Sequence, residues 1–207
     1  MTIRKILLLL ALLPFFAAAQ KDATDSKYLK GAVPVNEQGI VYFNRDYTCP
    51  GKSKAEIFEA LKAYVQTSII KNENALPQTK LVEENAADGL LAARVEETLY
   101  FKRKAWVTHS TRFYYELIYN IKDGGFNVEM RKLHYLYDEF QTPNHEPQSM
   151  TAEEWITDEN ALNKKGQLIK RTRFFRIFTI DRKDEIFRES GKAAGAKFKT
   201  KMVEVEE

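Results

Sequence analysis

The chain has 207 residues, a formal net charge of +3, 44% hydrophobic and 29% charged residues, a balance that excludes an intrinsically disordered chain and suffices for one domain burying roughly 70% of its unfolded surface. Cys49 is the single cysteine, so an intrachain disulfide is excluded. The near-balance of charge excludes the strong basic field of a dedicated nucleic-acid binder.

Residues 1–19 read as a secretory signal peptide. Arg4 and Lys5 precede the apolar run Ile6–Phe16, and Ala17-Ala18-Ala19 leads to polar Gln20, which predicts cleavage between Ala19 and Gln20. Eleven apolar residues fall short of the ~20 that span a bilayer, and no cysteine stands at the cut to carry a lipid. The expected product is exported to the periplasm or beyond, without a stable membrane anchor. Removing this segment leaves 30 basic residues against 29 acidic ones.

Residues 20–39, with Gly31, Pro34 and Gly39, form a lead-in to a single domain over 40–196. Ile40–Phe43 reads as a strand stopped by Cys49-Pro50-Gly51. Ser53-Lys54-Ala55-Glu56 is a capping box, and Ile57, Leu61, Tyr64, Val65 and Ile69 at helical spacing predict a helix over 53–70. Leu81-Val82 and the turn 86–89 predict a hairpin into a strand whose inner face carries Leu91, Ala93, Val95, Leu99 and Phe101. Glu97 interrupts that face, which predicts a bulge or edge position at Glu96-Glu97. Lys102-Arg103-Lys104 reads as a loop.

Asp123-Gly124 predicts a type I′ hairpin turn that pairs Ile121 with Phe126, Tyr119 with Val128, Leu117 with Met130 and Glu116 with Arg131. The apolar phase then slips to Leu133, Tyr135 and Tyr137, placing a bulge at Arg131-Lys132. Residues 140–150 read as a loop, Thr151-Ala152-Glu153-Glu154 as a second capping box opening a short helix that carries Trp155, and Arg173 to about Ala196 as an amphipathic helix. Residues 197–207 read as a frayed tail. The order is β-α-β4-α: an α+β fold in which amphipathic helices cover one face of an antiparallel sheet, with a short extra helix near 151–165.

Several stretches resemble a family of bacterial envelope proteins known as domain of unknown function 4468, of TBP-like fold. They are Lys27-Tyr28-Leu29-Lys30-Gly31-Ala32-Val33-Pro34-Val35, Leu133–Asp138, Thr151-Ala152-Glu153-Glu154-Trp155-Ile156-Thr157-Asp158, Ala161–Lys165, Phe175-Arg176 and Thr179-Ile180-Asp181. The resemblance implies a curved antiparallel sheet backed by helices and secretion in Bacteroidota-type bacteria. It transfers no active site, and residues 195–207 look like an addition to the pattern.

Candidate chemistry is sparse. Cys49 with His109 or His134 would make a thiol nucleophile and base, but nothing places a histidine beside the thiol. His109, His134 and His145 lack metal-ligand spacing. Glu153-Glu154 and Asp158-Glu159 would serve as an acid–base pair, yet capping and the helix dipole account for them. Arg171–Arg176 and Thr111–Tyr115 mix basic and aromatic residues as nucleic-acid readers do; strand alternation and a basic helix face account for both.

One surface stands out. The hairpin register sets Tyr114 opposite His134 on the face away from the core, with Arg112, Glu116 and Arg131 nearby and Trp155 able to reach it. These groups stack and hydrogen-bond, as a binding patch requires. The sequence therefore predicts a binding or interaction module of the cell envelope, with no cofactor, that engages an envelope protein or a small ligand and no nucleic acid. Two alternatives stand beside it. One is a hydrolase whose site is assembled from distant residues. The other is a carrier of apolar ligands, with a cavity where Ile57, Leu61, Leu117 and Tyr119 meet.

Overall fold

Inward apolar residues alternate with outward polar ones along three long strands, and this two-faced pattern dictates the architecture. The computed structural model describes residues 23–104, 107–137 and 146–198; the predicted signal peptide lies outside them, as does the tail from 199 onward. A 3-10 turn at Ser26–Tyr28 precedes β1 (Tyr42–Thr48), α1 (Lys54–Tyr64) and a π-helical turn (Val65–Ile70). There follow β2 (Lys80–Asn85), β3 (Leu90–Lys104), β4 (Val107–Lys122), β5 (Gly125–Tyr137) and β6 (Gln148–Thr151). Short helices α2 (Ala152–Trp155) and α3 (Asp158–Ala161) lead to the long α4 (Arg173–Ala193). The sheet is antiparallel in the order β1-β5-β4-β3-β2, and β6 joins the far end of β5 on the β1 side. Helices α1 and α4 cover one face, where Ile57, Leu61, Leu117, Tyr119, Tyr135 and Phe187 belong to one buried core.

The β4–β5 register matches the expected pairing, with Ile121 opposite Phe126, Leu117 opposite Met130, and Glu116 opposite Arg131. The register then shifts between Tyr114 and Glu116, and Lys132 takes a φ of 55°, so the expected bulge is present. The turn itself differs. Only Gly124 has positive φ (74°), which fits a type II rather than a type I′ turn. Tertiary contacts account for this: the Asp123 carboxylate accepts from the Lys54 amide at 2.7 Å, and the Gly124 amide donates to the Lys52 carbonyl at 2.9 Å. The hairpin tip is therefore clamped to the N-terminus of α1, where a negative charge also suits the helix dipole.

Other expectations shift for local reasons. The helix from Ser53 keeps its capping box but widens into π-helical geometry after Tyr64, where the Thr67 hydroxyl occupies the Ala63 carbonyl at 2.7 Å. Of the bulge or edge position expected at Glu96-Glu97, the bulge lies instead between Tyr100 and Lys102, with Glu97 in register opposite Phe113, whereas β3 has at Glu96 already run past the end of β2, whose pairing stops at Arg94. Lys102–Lys104 are not a loop: they end β3, paired with Val107–His109. The first strand starts at Tyr42 and runs on to Thr48 because it pairs with β5 throughout. Part of the expected 140–150 loop, Gln148–Met150, belongs to β6, and the segment after Thr151 forms two single-turn helices rather than one.

These short pieces are held by one side chain. Arg176 is fully buried and donates from Nε to the Tyr28 carbonyl (2.6 Å), from Nη1 to the Ile156 carbonyl (2.6 Å), and from Nη2 to the Leu29 carbonyl (2.5 Å) and Asp158 Oδ1 (2.6 Å). Asp158 also accepts from the Gly31 amide at 2.7 Å, and Glu153 accepts from the Val41 amide at 2.7 Å. The lead-in, α2–α3 and α4 are thereby joined through polar groups. Replacing Arg176 with Met should leave the buried Tyr28 and Ile156 carbonyls unsatisfied and cost about 3 kcal/mol. Urea unfolding followed by circular dichroism measures this, and a loss below about 1 kcal/mol would contradict the role of Arg176.

Candidate functional site

The helix-free face of the sheet is the candidate site. Strand alternation sends Arg94 and Glu96 from β3, Arg112, Tyr114, Glu116 and Ile118 from β4, and Glu129 and Arg131 from β5 to this side, with His134 beyond the bulge. Tyr114 and His134 are paired across the strands and stack with ring centroids 4.4 Å apart and planes 5° from parallel. The Lys132 bulge makes this stack possible, because it restores the outward phase of β5 one residue later.

Next to the stack lies an open depression of about 490 Å³ with Val82, Leu90, Ala92 and Ile118 on its apolar side and Glu83, Glu116, Asn120, Glu129, Arg131 and Lys132 around them. Glu116 accepts from Arg131 Nε at 3.3 Å and from Lys132 Nζ at 2.8 Å. Partial burial works against its charge, but Lys132 and Arg131 outweigh burial and hold the carboxyl below its ordinary 4.5. Arg131 also approaches Glu129 at 3.9 Å. Glu116 and Glu129 beside the depression are therefore paired with Arg131 and Lys132, which suits a mixed apolar and polar partner better than a polyanion.

The sheet brings together Tyr114, His134, Arg112, Glu116 and Arg131. It does not bring Trp155 to them. Trp155 sits with the helices, edge-on to Phe175 at 5.7 Å and under the Arg171 guanidinium at 4.5 Å, because α2 folds back toward α4. Cys49 lies at the hairpin-tip end of the sheet, where its amide donates to the Gly124 carbonyl, whereas His109 pairs with Lys102 at the opposite end. At ~3.3 Å per residue the two stand about 40 Å apart along β4. Burial also pushes the Cys49 thiol above its ordinary 9.0, away from the thiolate. His145, Ala19 and Gln20 lie outside the described residues. Glu153, Glu154 and Asp158 are engaged in structural hydrogen bonds to Val41, Thr151 and Arg176.

Sequence reasoning missed the buried charge cluster under α4. Arg182 donates from Nε and Nη2 to both Glu97 oxygens, at 2.9 Å to Oε1 and 2.8 Å to Oε2, and Tyr115 donates to Glu97 Oε1 at 3.0 Å. Burial opposes the Arg182 charge, but Tyr115 and Glu97 more than restore it, so its pKa lies above the ordinary value. The lone Glu97 in an apolar phase was the available signal; its partner stands 85 residues away.

The comparisons fit this architecture. The family profile described as a domain of unknown function (DUF4468) with TBP-like fold matches residues 43–136. The crystal structure of a DUF4468 family protein from Bacteroides ovatus is 30% identical, with a TM-score of 0.73 over 85% of this chain and 98% of that one. The chain belongs to the DUF4468 family. A TBP-like protein from Parabacteroides distasonis shares the fold at 22% identity, with a TM-score of 0.64 over 80% of this chain and 99% of its own. The search of curated proteins found no match.

Among the described residues of this DUF4468 protein, no three His, Cys, Asp or Glu side chains gather as a metal would need. Ile57, Leu61, Leu117 and Tyr119 do come together, all fully buried in one core. No described helix is long and apolar enough to cross a membrane.

Burial raises the phenols of Tyr115, Tyr119 and Tyr135, in Tyr115 with help from the Glu97 charge, and pushes Tyr64 up to about 12. Their folded pKa exceeds the unfolded value of about 10, so their contribution to stability is complete below about pH 10 and is lost as pH rises through the folded values. Unfolding free energy should fall above about pH 10, by up to about 1.4 kcal/mol per pH unit for each tyrosine. Urea titrations between neutral and strongly alkaline pH, with tyrosinate absorbance followed in parallel, check this; early ionisation without loss of stability would contradict it.

Proposed function

We propose that this DUF4468 protein is an exported, non-enzymatic interaction module that binds an envelope protein through the open face of its sheet. The observation that carries the reading is the Tyr114–His134 stack beside the apolar-sided depression. Two rings stacked on each other and held in register by paired strands are ordered before any partner arrives, which lowers the entropic cost of binding, and aromatic anchors of this kind dominate interface energetics. The depression beside them accepts an aliphatic side chain, and the paired Glu116, Arg131 and Lys132 rim it with groups of both signs. The partner that fits is a protein surface presenting an apolar side chain flanked by opposite charges. Export rests on Arg4-Lys5, the apolar run from Ile6 and the small residues before Gln20.

The test begins with the full chain expressed in its native envelope, where N-terminal sequencing should find Gln20 first. A photoreactive residue at Arg112 should then crosslink a protein partner, and the Tyr114→Ala/His134→Ala double variant should weaken capture about tenfold or more. Retention of residues 1–19 inside the cell would overturn export. Undiminished capture by a double variant that melts like the parent would overturn the binding face.

A further inference from the structure

A second depression lies on the opposite side of the molecule, between the π-helical turn and α4. This open groove of about 720 Å³ is lined by Tyr64, Thr67, Ser68, Lys71, Asn72 and Glu73 on one wall and by Arg182, Glu185, Glu189 and Lys192 on the other. It falls in the size range of small-ligand sites, roughly 300–1,000 Å³. We propose that it binds a short neutral oligosaccharide.

The lining decides the class of ligand. Almost every side chain in the groove ends in a hydroxyl, amide or charged group, so an apolar ligand would strand polar atoms. In and around the groove, cationic Lys71, Arg182, Arg188 and Lys192 balance acidic Glu73, Glu185, Glu189 and the Glu97 carboxylate beneath Arg182. A charged ligand therefore meets no net attraction. What remains is a neutral molecule carrying many hydroxyls, each of which donates to a carboxylate and accepts from an amide or a cation.

The hydrogen-bonding groups are also held in place before any ligand arrives. Arg182 Nη1 donates to Glu185 at 2.9 Å, and Arg188 Nε and Lys192 Nζ each donate to Glu189 Oε1 at 2.9 Å. Its contacts with Arg188 and Lys192 hold the Glu189 carboxyl below its ordinary 4.5, so it remains an acceptor at neutral pH. Across the groove the Asn72 side chain accepts from the Asn74 amide at 2.9 Å. Half-buried Tyr64 supplies an aromatic surface for the apolar side of a sugar ring. The wall that carries Tyr64, Thr67 and Ser68 includes the π-helical turn, a geometry often found at functional sites.

Saturation-transfer NMR on the mature chain, with maltotriose and chitotriose as probes and citrate and spermidine as charged controls, tests the proposal. At least one trisaccharide should bind and the charged controls should not. Ser68→Trp, which fills the groove from an exposed position, should abolish binding, and Glu185→Gln should weaken it about tenfold. Tyr114→Ala/His134→Ala should leave it unchanged, which separates this site from the sheet face. Absence of transfer to either trisaccharide, preferential binding of a charged control, or binding that survives Ser68→Trp in a folded variant would overturn the proposal.

Discussion

The buried guanidinium of Arg176 is the constraint on which the assembly of the chain depends. A fully desolvated charge is tolerable only when its donors are satisfied, and three carbonyls and one carboxylate meet that demand from segments on both sides of the sheet sequence. The lead-in supplies Tyr28 and Leu29, the segment after β6 supplies Ile156 and Asp158, and α4 supplies Arg176 itself. Those segments overlap stretches that carry the family likeness. Their resemblance has a physical meaning: Tyr-Leu, Trp-Ile-Thr-Asp and Phe-Arg are three sides of one junction. The lead-in is consequently part of the domain, with Tyr28 and Val33 in its core, rather than a preface to it.

A second buried pair fixes which face of the sheet the helices cover. Glu97 and Arg182 lie on the helix side of the sheet, where Tyr115 completes the carboxylate's hydrogen bonds. Removing one member would leave the other charge uncompensated, so β3 and α4 are tied in one arrangement. The helices accordingly stay on that face. The other face keeps Tyr114, His134 and the apolar positions around Ile118 without a covering layer from the described residues. One face is committed to the packed core, and the other stays open.

The regular parts of this fold were legible because they follow local periodicity. The capping boxes at Ser53 and Thr151, the β4–β5 register, the Lys132 bulge and the Tyr114–His134 opposition all follow from side-chain type and spacing within one hairpin or one helix turn. What sequence spacing missed depends on partners far along the chain. Glu97 looked like a defect because Arg182 stands on another element, and Asp123-Gly124 looked like a free hairpin turn because the α1 N-terminus that reshapes it lies 69 residues earlier. Trp155 was assigned to the wrong side for the same reason: its position is set by Phe175 and Arg171, not by anything in the 151–165 segment.

Both outer edges of the sheet are guarded against a further strand. The β1 edge is closed at one end by the lead-in, where the Tyr42 amide donates to the Pro34 carbonyl and Val35 bridges Val41. It is closed at the other by the Lys197 amide, which donates to the Thr48 carbonyl. The β2 edge is short, bulged between Leu81 and Glu83, and studded with Lys80, Glu83 and Glu84. Both are devices that discourage an added strand. An added strand is discouraged at both edges, whereas the helix-free face and the groove beside α4 stay open.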